Sequence, residues 1–211
     1  MSTNPAPVST ESDGHVVTVV INRPPHNFVD VDSMKLLADT LEALDQQHEC
    51  RAVVLAAEGK SFCAGADFSK VPGTGAMLDP AVFYVEAMRL FRTRKPIVAA
   101  VHGAAIGAGA GLALVADFRV ACPASRFSVN FNRLGFHPGF GLSCTLPRLV
   151  GTQAAARLFY TGDRIDGAQM LALGIADELA TDETVRARAQ ALARESAVSA
   201  PQAVQTTRAT L

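Results

Sequence analysis

Apolar positions along the chain fall into two spacings. Short β-branched runs predict strands at residues 15–22 (HVVTVVIN), Ala52–Ala57, Ile97–Val101 and Phe118–Ala121. Met34, Leu37, Ala38, Leu41 and Leu44 recur at helical spacing and predict a helix over 32–46. Asp79-Pro80 reads as an N-cap followed by proline at the first helical position, and Phe83, Ala87, Leu90 and Phe91 continue that helix until Arg92–Pro96 ends it. Further helices are predicted at 153–160 ahead of Gly162, at 167–173, and at 184–197. The second of these has Asp166 and Gln169 as a capping pair and Gly174 behind it. Strand and helix alternate, which argues an α/β domain. Loops interrupt at 23–27, where Pro24 and Pro25 stand in series, and at 70–77, where Pro72, Gly73 and Gly75 do.

The run 97–116 is apolar or small and about as long as a bilayer span. Gly103, Gly107, Gly109 and Gly111 make it a poor continuous helix, and no flanking charge orients it. The better reading is a buried strand, a glycine loop and a buried helix.

Composition narrows the function classes. The 211 residues suit one domain, and 49% are hydrophobic, enough for a core. Lys and Arg number 19 against 20 Asp and Glu, so no basic field draws nucleic acid or anionic lipid. Neither is expected as a partner, and an anionic ligand requires a local cluster of cations. Cys50, Cys63, Cys122 and Cys144 lack metal-ligand spacing, and the polar opening stretch is no secretory signal. A reducing cytoplasm, structural thiols and no metal site are therefore expected.

Two segments carry candidate chemistry. Residues 61–68 (SFCAGADF) form a tight glycine turn after a buried strand, and residues 102–112 (HGAAIGAGAGL) lead from a strand into a helix. Each can present an uncovered backbone N–H, and the second adds a helix N-terminus. Two such donors on one oxygen make an oxyanion hole. A dinucleotide loop is the nearest alternative, but Leu112 stands where a third glycine is needed. Taken singly, either segment is as well read as glycines used for close packing.

Together, and joined by the strand KPIVAAVHG (95–103), they resemble the enoyl-CoA hydratase/isomerase (crotonase) superfamily. The likeness runs from the 21–24 turn (INRP) to residues 158–179. It implies an α/β fold built as a crotonase-like spiral of stacked ββα units. Its domain reading is a flexible segment over 1–14, an acyl-CoA-binding core over 15–180, and the start of a C-terminal helical region over 181–211, shorter than in relatives. The resemblance implies oxyanion donors at the N–H groups of Ala66 and Ala108. It puts Arg23, His26, Ala64, Gly65, Asp67 and Gly107 around the CoA and thioester. Coenzyme A enters as part of the substrate, no separate cofactor is expected, and the implied assembly is a homotrimer or dimer of trimers.

Hydratases of this family use two glutamates, and their positions fall at Gly111 and Phe131. An acid used by dienoyl isomerases falls at Gly139. None of these can move a proton. His137, in the loop 135–141 (GFHPGFG), is the substitute acid or base, with Tyr84 and Glu86 on the helix over the pocket as further polar groups. The expectation is an acyl-CoA enzyme working through a stabilised enolate or oxyanion. The alternatives are a non-catalytic acyl-CoA binder, a thioesterase or decarboxylase, or a structural partner of an active homologue.

Overall fold

A computed structural model of the protein describes residues 6–67 and 80–211. Strands β1 (Val8–Asp13), β2 (Val16–Ile21), β3 (Ala52–Ala57), β4 (Ile97–Val101), β6 (Phe118–Ala121) and β9 (Glu178–Leu179) form one sheet in the order β1-β2-β3-β4-β6-β9. The β1–β2 pair is antiparallel and every other pairing in that sheet is parallel. A second sheet holds β5 (Ala104–Ile106), β7 (Arg126–Ser128) and β8 (Ile165–Asp166).

Both faces of the large sheet are covered, which is why its central strands are apolar throughout. Val17, Val19, Val53, Leu55, Ile97 and Ala99 face a core shared with α1 (Val31–Asp45) and α2 (Pro80–Arg89). Their neighbours Val16, Ala52, Val54, Val98 and Val120 face the other way, onto Val185, Ala189, Ala193 and Ala197 of α6 (Val185–Ala197). The four-residue spacing of these α6 residues puts them on one face of the helix, and the three alanines let α6 lie close against the strands.

The expected ββα repeat is visible. β4, β5 and α3 (Ala108–Ala113) make one unit: a strand in the large sheet, a short strand in the second layer, then a helix. β3 is likewise followed by bridging residues at Cys63 and Ala66 before α2. The second layer is thus a ladder, with Val29 bridged to Ala66, Cys63 to Ala105 of β5, β5 paired with β7, and β7 with β8.

Several expectations need correction. Residues 8–13, placed in a flexible segment, form β1, because their backbone pairs along the whole length of β2. The glycine stretch between β4 and α3 contains β5, since Cys63 N–H donates to Ala104 O and Ile106 N–H to Cys63 O, at 2.9 and 3.0 Å. The helix expected at 153–160 is the second half of α4 (Leu142–Thr161), which kinks at Gly151. Helix α7 (Pro201–Arg208) follows α6 with proline in its first turn. The capping pair Asp166/Gln169 forms a reciprocal capping box on α5 (Gly167–Ala172). The expected N-cap Asp79, the loop 70–77 and residues 1–5 lie outside the described residues. No helix among the described residues is long and apolar enough to cross a membrane.

Candidate acyl-binding site

The ladder decides where Ala66 points. In a parallel bridge the central residue of one strand exchanges its bonds with the two residues flanking its partner. Val29 does so here: its N–H donates to Gly65 O at 3.0 Å, and its carbonyl accepts from Asp67 N–H at 2.8 Å. The amide of Ala66 is therefore turned away from Val29. Gly65, at φ +134°, supplies a conformation that a side chain would strain.

Ala108 is the first residue of α3, so its N–H has no carbonyl one turn back in the helix. Gly107 before it has φ +56° and ψ −112°, again open to glycine. Neither amide donates to another backbone group among the described residues. The two segments can approach because residue 109 is glycine. A Cβ there would come within 1.9 Å of the Cys63 carbonyl oxygen. Cys63 itself is buried and its thiol is pushed up to about 12 by that burial, so it is an inert packing residue, as expected.

Ala66 and Ala108 share the wall of a cavity of about 400 Å³, together with Ala64, Gly65 and Gly107. The same cavity is lined by Tyr84 of α2 and by Asn130, Phe131 and His137 from the segment between β7 and α4. Phe131 is buried, whereas the His137 side chain is exposed to solvent at the cavity. Arg23, His26 and Asp67, expected around the CoA and thioester, line a separate cavity of about 470 Å³. Ala64, Gly65 and Ala66 line the first cavity and the next residue, Asp67, lines the second. Arg23 is already engaged there, donating to Asp30 at 2.7 Å and to Ser33 Oγ at 3.0 Å. Burial alone would raise the Asp30 carboxyl; the Ser33 N–H and hydroxyl and the Arg23 guanidinium overcome it and hold the group below its usual range.

The positions without acids are filled rather than empty. A Cβ at Gly111 would meet Phe140 Cγ at 2.5 Å and Cβ at 2.6 Å. Phe140 is 2% exposed, adopts φ +57°, and stacks edge-on against Phe83 and Phe91. A Cβ at Gly139 would lie 2.2 Å from the Tyr84 hydroxyl. Glu86 is not in the cavity: it pairs with Arg89, which also binds Asp39 and Glu42 of α1. Phe140 escaped sequence reasoning. Its one signal was an unexplained glycine at 111 inside a helix. His102 is structural, its Nε2 lying 3.2 Å from Gly59 O. Another depression, about 1100 Å³ between α4 and α5, includes Arg157 and Asp163 and neither donor amide. Among the described residues no group of His, Cys, Asp and Glu is arranged to hold a metal ion.

Residues 11–211 match the model of the enoyl-CoA hydratase/isomerase family. The chain belongs to that family. It is 37% identical over 185 residues to the "probable enoyl-CoA hydratase EchA14" of Mycobacterium tuberculosis, covering 86% of this chain and 72% of that one. It is 34% identical to the 1,2-epoxyphenylacetyl-CoA isomerase of Escherichia coli, covering 85% and 71%. Among solved structures, the enoyl-CoA hydratase of Bacillus anthracis superposes with a TM-score of 0.88 at 27% identity, covering 96% of this chain and 81% of that one. The fold is thus the crotonase fold, and the donor turn, the glycine loop and the ladder joining them belong to a hydratase/isomerase-family scaffold.

Proposed function

We propose that the protein binds an acyl-CoA thioester with the thioester oxygen between the N–H groups of Ala66 and Ala108. The observation that carries this reading is that both amides belong to residues lining one cavity, have no backbone partner among the described residues, and each follow a glycine at positive φ. Preorganised donors of this kind stabilise an enolate or oxyanion by several kcal/mol, roughly 3 per donor. The CoA nucleotide end then runs over residues 64–67 toward Arg23, His26 and Asp67 in the neighbouring cavity. His137 exchanges the proton at the acyl group. Two-glutamate hydration is excluded from the reading, because Gly111 and Phe131 hold those positions. The activity is that of an isomerase or lyase outside standard hydration, exercised in the cytoplasm by a homotrimer or dimer of trimers.

A non-catalytic acyl-CoA binder is the second reading, favoured by the aromatic packing at Gly111. Incubation of a small acyl-CoA panel in heavy water, read by mass spectrometry, separates the two. Deuterium at the α-carbon, lowered about a hundredfold or more by His137→Ala with thioester binding retained, supports the enzyme. Binding with every thioester returned unchanged supports the binder. Loss of the acyl chain indicates a thioesterase.

A further inference from the structure

Tyr84 projects from α2 into the acyl cavity. Its neighbours on the helix are committed elsewhere: Phe83 and Ala87 are buried in the core, and Glu86 and Arg89 are tied together and to α1. The Tyr84 ring is held edge-on by Phe83, at 5.5 Å and 77° between planes, and Phe83 in turn meets Phe140. The hydroxyl lies over Gly139, where even a single methyl would collide with it. The ring is half-buried, and its oxygen has no hydrogen-bond partner among the described residues. Ile106, Phe131, Leu134 and Phe136 give the cavity much of its lining, with Asn130 and His137 as its other polar side chains.

A hydroxyl fixed by aromatic packing, given room by a glycine and without a partner among the described residues, in a largely apolar cavity, is suited to a ligand acceptor. A hydrocarbon acyl group filling the cavity would displace water from it and leave it unsatisfied. We propose that Tyr84 donates a hydrogen bond to an oxygen carried by the acyl group, so that the substrates are acyl-CoA thioesters bearing a ketone, hydroxyl or ring oxygen beyond the thioester. The inference rests on the acyl-CoA reading above and makes Tyr84 a specificity-determining residue of that site. Burial raises the phenol above its ordinary value, which keeps it protonated and donating through neutral pH. A site built around such a donor rejects the analogue that lacks the acceptor more strongly than it rejects a missing methylene.

The test is calorimetric binding of two matched pairs, butyryl-CoA against 3-oxobutyryl-CoA and phenylacetyl-CoA against 4-hydroxyphenylacetyl-CoA. Wild-type protein is expected to prefer the oxygenated member of at least one pair by about tenfold. Tyr84→Phe, which removes only the oxygen, is expected to bring that ratio close to one. Thioesters bound without preference in either pair, or a preference that survives Tyr84→Phe, overturns the inference and leaves the acyl-CoA reading intact. If none of the four thioesters binds, both fall, and the acyl-CoA reading is the one at fault.

Discussion

Gly111 has no space for a side chain, because Phe140 crowds it with its Cβ and Cγ rather than with the far edge of its ring. The Cβ cannot move without the Phe140 backbone, which stands at φ +57°, and the Cγ can swing away only by turning a ring that is itself buried. Gly111→Glu is therefore expected to cost about 2 kcal/mol by overpacking. For a chain of this size that lowers the melting temperature by roughly 6 °C. It is expected to gain no hydration of crotonyl-CoA. Phe140→Ala alone should cost about 3 kcal/mol as a core truncation, and the pair should lose less than the sum of the two single losses, since the residues are in contact. Thermal melts of the two single variants and the pair measure this directly, and additive losses would show that Phe140 is not what excludes the glutamate. The absence of the acid was legible in the sequence; the aromatic ring in its place was not. Contact between residues 111 and 140 depends on how the loop before α4 folds back over α3, and no local spacing reports that.

At the scale of elements, α3 begins with the residue whose amide is proposed to hold the thioester. Proline is favoured at the first helical position, since its missing N–H would have no partner within the helix. Ala108→Pro thus deletes the donor while keeping the helix. It is expected to leave the melting temperature within a few degrees of wild type and to lower turnover about a hundredfold or more. Unchanged turnover would remove Ala108 from the site. The same economy explains which elements sequence reading found. β3 and β4 are buried on both faces and read as continuous apolar runs with the bounds observed, and β6 was found with its bounds despite Arg119. β5, β7, β8 and β9 have three residues or fewer, and their pairing is made by distant segments, so their own composition carries little signal. The first half of α4 contains Pro147 and runs into Gly151, which hid it behind two helix breakers. The donor turn and the glycine loop were legible because conformational demands at Gly65 and Gly107 leave a residue-type trace. The grouping of Arg23, His26 and Asp67 in a second cavity left none.

Across the whole molecule, α6 covers the outer face of the large sheet, and the turn leading toward it is pinned by one buried cation. Arg119 of β6, 3% exposed, donates to the carbonyls of Ile175 and Ala116 and pairs with Asp177 at 3.1 Å. Arg119→Met keeps the apolar stem and removes every one of these bonds. It is expected to destabilise by about 3 kcal/mol, because buried acceptors lose their donor. Urea titration followed by circular dichroism checks this, and a loss under 1 kcal/mol would mean that α6 packing alone holds the turn. The ladder through Val29, Ala66, Cys63, Ala105, β7 and β8 bears on biogenesis. The two amides acquire their positions from residues as far apart as 29 and 166, so a chain emerging from the ribosome has no grip on a thioester until most of it has been made. Capture of an acyl-CoA analogue by stalled nascent chains of increasing length should therefore switch on late and abruptly, marking the moment the spiral closes.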